Sequence, residues 1–391
     1  IFVCFGNASC FIIMIRYEKL FKGRFIDRPN RFIVHVEIDD ETVTCHLPNP
    51  GRLWELLYVG TTVWVRKVLT PGRKTPYDVI GIERDGIPVL LDTQYNNDVA
   101  EALIREKRIP GWEDWDVLRR EVAIEGSRFD LLLHRGDDLF FLEVKSCTLF
   151  SKNGAMFPDA VTERGRRHLL HLSSLRDKGI RAGILFLVQW NRACWFLPDY
   201  HTDPDFAETF ETCADKLDWK AFTVEWNDDF SKPAPGRELM YPQAVLEREN
   251  RDRGTYAVIY CLEEDRCEFI GTGKKQDFKA GYYVYIGAVE ENLKARLSGL
   301  RRVRKKPTQI TDYLRLFMAV SSVAAVRTAD TVEAEFASHV GNVSDGFVPA
   351  ITGDDGGPCL FYFKENPVHY KPFIEVLEDI RMNRLETLFD F

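Results

Sequence analysis

The sequence predicts a multidomain chain, a small β-barrel followed by two α/β units, on three observations. Short β-rich runs separated by turns fill residues 15–96. From residue 97 strand and helix patterns alternate. A breaker cluster and a charged run then interrupt the chain before a fresh strand opens at Gly254. A length of 391 residues suits two or three domains of ordinary size.

The first unit, 15–96, reads as an OB-like barrel. Residues 31–38 are β-rich with partial alternation, Asp39 and Asp40 make a turn, and 41–46 return as a hairpin partner. Pro48-Asn-Pro-Gly51 breaks the sheet, and 52–58 fit one or two helical turns. Runs at 61–66 and 77–82 complete about five strands, the number of a small closed barrel. In the second unit, 97–225, residues 99–106 are helical and 119–124 form a strand. Strands over 128–134 and 139–145 flank the turn cluster 135–138. A helix over 162–178 carries a leucine stripe at 169, 172 and 175. The apolar run 180–188 is a buried strand, 194–197 is another, and 203–216 is helical. Residues 226–253, with Lys232-Pro-Ala-Pro-Gly236 and the charged run 247–253, predict a linker. The third unit, 254–391, starts with a strand and ends in a helical tail from Tyr370.

Composition limits the functions available. Hydrophobic residues are 45% and charged residues 29%, as in an ordinary globular chain. A net charge of −8 excludes coating of nucleic acid by bulk positive charge, so contact with phosphates must use local basic patches. Nine cysteines without a C-x-x-C pair exclude a zinc ribbon and fit reduced thiols in the cytoplasm. Residues 1–14 are apolar, without a basic start or small-residue cleavage site. They read as an upstream extension with Met14 near the natural start, or as a weak signal sequence. No run reaches the ~20 apolar residues of a membrane helix.

One constellation carries chemistry. Asp130 opens one strand and Glu143 closes the next, and the tight turn between them brings both carboxylates to one end of the sheet. Two such groups repel unless a cation lies between them, and Mg²⁺ or Mn²⁺ suits their oxygens together with the Val144 carbonyl. Lys145, two residues from Glu143, shares its face and can steady a water or a developing phosphate charge. That set is suited to phosphodiester hydrolysis; the bland alternative is a surface salt bridge at a hairpin end.

This D…E-x-K pattern resembles the PD-(D/E)XK nuclease superfamily. Four strings are similar to the sugar fermentation stimulation (SfsA) family: Pro48-Asn-Pro-Gly-Arg-Leu53, Ser127-Arg-Phe-Asp-Leu-Leu132, Glu143-Val-Lys-Ser-Cys-Thr-Leu149 and Phe157-Pro-Asp-Ala-Val-Thr-Glu-Arg-Gly165. The resemblance spans roughly 15–215. It implies an N-terminal OB-like domain, a nuclease-like domain, DNA binding and a regulatory role in sugar (maltose-type) metabolism.

Around this core, Glu163 is a candidate further acid. Arg164, Arg166, Arg167 and His168 give one helix positive charge suited to phosphates or to a solvated face. In the barrel, Arg52, Trp54, Trp64, Arg66, Lys67, Arg73, Lys74 and Tyr77 are the OB-type candidates, with core the favoured place for both tryptophans and exposure expected at Arg73 and Lys74.

The third unit holds Tyr256-Ala-Val and Tyr283-Val-Tyr-Ile-Gly287 on two strands separated by Gly271-Thr-Gly273, then Arg296, then Glu333 or Glu335. This resembles a GIY-YIG nuclease domain of the type also fused to endonuclease III. The resemblance implies roles for Tyr256 and Tyr285 near the attacking water, Arg296 on phosphate, and Glu333 or Glu335 on the metal. The histidines usual in that subfamily are missing from 296–300 and 309–314, which argues for binding over cutting here. Seven basic residues between Lys294 and Lys306, among them Arg301, Arg302 and Lys305, and no acid, read as a phosphate-binding stripe, with a solvated helix face as the bland alternative. Two readings follow: a Mg²⁺- or Mn²⁺-dependent nuclease acting on DNA or RNA through Asp130, Glu143 and Lys145, or a non-catalytic DNA-binding regulator that keeps a nuclease fold.

Overall fold

The computed structural model describes Tyr17 and residues 19–70, 72–270, 275–300, 307–353 and 356–389. The expectations for residues 1–14, for Gly271-Thr-Gly273, and for Arg301, Arg302 and Lys305 lie outside these described residues.

The first unit is a closed five-stranded barrel. Strands β1 (Leu20–Asn30), β2 (Ile33–Ile38), β3 (Glu41–His46), β4 (Thr62–Lys67) and β5 (Tyr77–Arg84) pair in the order 3-2-1-4-5, and β3 closes on β5 through Cys45 and Tyr77. A short β6 (Ile87–Leu90) extends β5. Asp39 and Asp40 both take positive φ, 51° and 65°, which matches the right-handed twist of a two-residue hairpin. The alternation of β2 puts Val34, Val36 and Ile38 into the barrel core. Trp64, 2% exposed, is core as expected, and Trp54 is also buried. Residues 52–58 form turns rather than helix.

The second unit is a six-stranded sheet in the order β15-β14-β12-β9-β8-β7. Its members are β7 (Asp116–Ile124), β8 (Ser127–Arg135), β9 (Asp138–Cys147), β12 (Arg181–Val188), β14 (Asp218–Glu225) and β15 (Ala234–Glu238). Helix α1 (Asn96–Arg105) covers one face, while α2 (Glu163–Asp177) and α3 (Pro204–Ala214) cover the other. β9, β12 and β14 run parallel between these layers. That is why β12 is apolar at nearly every position: both of its faces are buried. Short strands β10 (Leu149–Phe150), β11 (Gly154–Phe157) and β13 (Trp195–Pro198) form a side sheet. Thr162 caps α2 by accepting from the Gly165 N–H at 3.0 Å, and Asp203 caps α3.

The expected linker is folded. β15 pairs with β14 as an exposed edge strand, where Pro235 is tolerated. Helix α4 (Gln243–Glu249) buries Val245, Leu246 and Glu249. The prolines and charges that read as linker are those of a sheet edge and of an ion-paired helix.

The third unit is a five-stranded sheet in the order β20-β16-β19-β22-β21, from β16 (Gly254–Leu262), β19 (Gly281–Val289), β20 (Ala319–Arg327), β21 (Gly346–Phe347) and β22 (Leu360–Phe363). A β17–β18 hairpin (Arg266–Phe269, Lys275–Phe278) stands apart from it. Helices α5 (Leu293–Leu300), α6 (Ile310–Leu314) and α7 (Glu333–Val343) accompany the sheet. The tail is helical, as expected: α8 (Lys371–Arg381) and a 3₁₀ turn, Asn383–Leu388. Among the described residues, no helix is long and apolar enough to cross a membrane.

Candidate active sites

β8 and β9 pair antiparallel with Leu131 opposite Leu142, a register that sets Asp130 across from Glu143. The ladder stops there, and the Val144 N–H donates instead to Asp130 Oδ2 at 2.8 Å. Asn97, at the start of α1, donates to Asp130 Oδ1 at 3.0 Å. Glu143 is 2% exposed, and its Oε1 accepts from Lys145 Nζ at 2.5 Å and pairs with His168 Nδ1 at 2.6 Å. Its Oε2 is buried without a hydrogen-bond partner. The structure thus brings Asp130, Glu143 and Lys145 together and adds His168 and Asn97.

The two carboxyls are pushed apart in acidity. Burial raises Asp130, and the charge of Glu143 raises it further, against the Val144 and Asn97 hydrogen bonds. Burial also acts upward on Glu143, but the His168 hydrogen bond and the Lys145 charge outweigh it and hold the group below the usual range. The donor set fits a hard divalent cation. A buried, orphaned carboxylate oxygen beside a second carboxyl is a ligand position, and Mg²⁺ needs only one or two carboxylates because it keeps water. Among the described residues, no three His, Cys, Asp or Glu converge as an all-protein metal cage.

His168 is the residue that sequence reasoning misplaced. The sequence groups it with the basic residues of the helix, suited to phosphates or to a solvated face, yet the stripe at 169, 172 and 175 puts 168, four before Leu172, on the buried face. Arg164 and Arg167 are exposed, as a phosphate role needs; Glu163 is exposed in the first turn, and Arg166 pairs with Asp205.

The barrel candidates are more committed than expected. Arg52 donates to the Asp159 carbonyl at 2.6 Å and to Thr202 Oγ1 at 2.7 Å, and its guanidinium covers Trp54. Leu53 N–H donates to Asp159 Oδ2 at 2.8 Å. The strings 48–53 and 157–165 therefore meet to join barrel and central domain. Arg73 is half-buried rather than free: it and Arg66 both bind Asp78. Lys74 is exposed.

The tyrosine site of the third unit is assembled. Tyr256 lies opposite Gly287 and next but one to Tyr285 across the β16–β19 ladder. Its hydroxyl accepts from Arg296 Nε at 2.8 Å, while Arg296 Nη2 donates to Thr311 Oγ1 at 3.1 Å. The two rings lie 6.3 Å apart. A Cβ on Gly287 would stand 2.9 Å from the Tyr256 hydroxyl and 2.8 Å from Tyr285 Cε1, so only glycine permits this approach. Burial raises the Tyr256 pKa against the Arg296 charge, and Glu333 raises both tyrosines further. Of the two candidate acids, Glu333 is therefore the one near the tyrosines; Glu335 is exposed.

The fold and the strings define an OB barrel joined to an α/β domain, and comparison with known proteins gives that pair a family. The family profile "SfsA N-terminal OB domain" matches residues 26–91, and "Sugar fermentation stimulation protein RE domain" matches 94–229. A sugar fermentation stimulation protein homolog of Clostridium perfringens is 42% identical over 188 residues, covering 48% of this chain and 82% of that protein. A Methanothermobacter thermautotrophicus homolog is 40% identical over 49% of this chain and 79% of its own. The structure of Pyrococcus furiosus SfsA in complex with Ca²⁺ matches with a TM-score of 0.53 and 28% identity, covering 58% of this chain and 97% of that one. The chain belongs to the SfsA family.

Proposed function

We propose that the chain is a metal-dependent phosphodiester hydrolase acting on DNA or RNA, with a PD-(D/E)XK-type site at Asp130, Glu143 and Lys145. One observation carries the reading: Glu143 is held through one oxygen by Lys145 and His168, and its other oxygen is buried beside Asp130 with no partner. An acceptor left so costs roughly 1–3 kcal/mol or more, and a cation removes that cost. The Ca²⁺ complex of the Pyrococcus furiosus relative supports a hard cation in this family. Bound Mg²⁺ or Mn²⁺ would supply a Lewis acid for the phosphate and lower the pKa of water. Asp130 and Glu143 would hold it, and Asn97 and His168 orient those two side chains. Lys145 places a positive charge where the phosphate becomes more anionic.

The third unit supports a second, GIY-YIG-like site, because the Tyr256–Arg296 hydrogen bond, Tyr285 and nearby Glu333 form a set that composition alone does not explain. Its chemistry would place Arg296 on phosphate and Tyr256 against the nucleophile.

The test is cleavage of single-stranded DNA, duplex DNA and RNA with Mg²⁺ or Mn²⁺ by the wild type, Glu143→Gln and Arg296→Ala, each with an unchanged melting temperature. Loss of cutting and of calorimetric metal binding in Glu143→Gln alone is expected. Loss only in Arg296→Ala would move the chemistry to the third unit. Binding without cutting in every form would favour a DNA-binding regulator of sugar metabolism that keeps the fold.

A further inference from the structure

A cleft of about 820 Å³ lies where the barrel, the central domain and the third unit meet. The barrel wall carries Arg28, Arg31 and Arg52, and β20 supplies Ser321 and Ser322 from the opposite side. Among the described residues, no Asp or Glu lines it. Arg52 has Asp159 behind it, but Arg28 and Arg31 are without a carboxylate ion pair among the described residues. Arg28 donates only to main-chain carbonyls, those of Arg52 at 2.6 Å, Arg31 at 2.8 Å and Asn49 at 3.3 Å. Its Nε is buried without a partner. Burial lowers its pKa to about 10, and the neighbouring Arg31 charge acts the same way, against the charge of Asp159. Next to Arg31, Phe32 is 46% exposed, with the Arg31 guanidinium 5.8 Å from its ring centre.

The cleft also reaches the tyrosine site. Leu297, which follows Arg296, lines it, and so does Ala325, the ladder partner of Tyr256. Arginines without a direct ion pair beside an exposed aromatic ring are elements of single-strand recognition, in which phosphates meet cations and unstacked bases meet a ring. The volume falls in the range of ligand pockets, roughly 300–1,000 Å³.

We propose that this three-way cleft binds a single-stranded segment of a polynucleotide, with phosphates at Arg28 and Arg31 and a base against Phe32 just outside its lining, and directs it toward Tyr256 and Arg296. The proposal rests on the nucleic-acid reading of the molecule but not on which site cuts.

The experiment uses the full chain with labelled oligothymidylate and oligouridylate, a labelled hairpin duplex, and inorganic phosphate as competitor. Arg31→Glu and Ser321→Glu place a negative charge on opposite walls at exposed positions, where folding is unaffected and is checked by melting temperature. Each should weaken single-strand binding about tenfold or more. Arg31→Glu should flatten the slope of log affinity against log salt by about 0.7, the value for one lost phosphate contact on a single strand. Bromouracil-substituted strands should crosslink to peptides from both walls. Wild-type binding that neither variant changes would overturn the cleft and leave the nucleic-acid reading standing. Absence of any polynucleotide binding by the wild type would overturn both. Binding of the duplex alone, or displacement by millimolar phosphate alone, would show an anion site and no strand groove.

Discussion

Both ring nitrogens of His201, buried between the central domain and the third unit, are engaged. Nδ1 accepts from the Arg327 N–H at 2.9 Å, so the proton resides on Nε2, which donates to the Arg381 carbonyl at 3.0 Å. A second proton would have to face the Arg327 N–H. Burial lowers the His201 pKa well below 6.5, and the Arg381 charge adds to it, against Asp199. A folded pKa below the unfolded one contributes stability above about pH 6.5 that is lost as the pH falls. One proton corresponds to a slope of about 1.4 kcal/mol per pH unit. His201→Gln keeps a donor and an acceptor but does not titrate. Its melting temperature should fall less between pH 7.5 and 5.5 than that of the wild type, and parallel curves would remove His201 from the account. On the hydrolase proposed for the central site, Lys145→Ala should slow cleavage by about 10²–10³-fold, as for loss of one charge-stabilising donor, while metal affinity by calorimetry changes little. A fall in metal affinity as large as that of Glu143→Gln would mean that Lys145 only shapes the carboxylate.

Strand β19 is placed by an absent side chain, and helix α4 by buried ones. Gly287 lets two strands bring Tyr256 and Tyr285 to one place; Gly287→Ala must push back a ring or a hydroxyl. On the proposed nucleic-acid role of the tyrosine site, it should weaken that binding in titrations, with a smaller loss of melting temperature than a core truncation causes. Leu246 on α4 is fully buried with Trp195, Tyr200 and Leu385, so Leu246→Ala should cost about 2–5 kcal/mol in denaturant unfolding. A linker residue would cost nothing. The barrel strands, α2, α3 and the Asp130–Glu143 hairpin were legible because alternation, helical stripes and turn residues are local signals. Helix α4 was not, because Glu249 is buried by partners far along the chain: Arg384 donates to it at 2.6 Å. Charge density reads as solvent exposure until the opposite charge is placed. The same holds for Arg52 and Arg73, whose carboxylates arrive from Asp159, 107 residues on, and from the neighbouring strand.

At the scale of the whole molecule, the units are joined by buried polar contacts rather than by a tether. α8 is the common element. Glu378 on it accepts from Arg84 of the barrel at 2.7 Å, and Arg381 binds both Asp199 oxygens at 3.0 Å in the central domain. Beyond it, Glu386 accepts from Trp195 Nε1 at 3.2 Å, and Leu385 fills the cluster beneath α4. The boundary near Lys232 that the sequence offers is thus not one that few contacts cross. A fragment ending there keeps the central hairpin but loses β15 and the apolar contacts of α8, and it strips Arg84 of Glu378 and Asp199 of Arg381, leaving them only Asp85 and Arg52 as charged neighbours. A typical domain has only about 5–15 kcal/mol of stability in all. The fragment 17–232 should therefore be less stable than the full chain by several kcal/mol and prone to aggregate. Removal of 371–391 alone should expose the same contacts. The measurement is denaturant unfolding of full chain, the 17–232 fragment and the tail deletion, read by tryptophan fluorescence, since Trp195 lies against the tail. Unfolding midpoints of the fragment equal to those of the full chain would show that α8 packs on the first two units without holding them. A fragment that regains the full midpoint when Arg84→Met and Asp199→Asn are introduced would assign the loss to orphaned charge rather than to lost apolar contact, because those changes remove the charges and leave the truncated surface as it was.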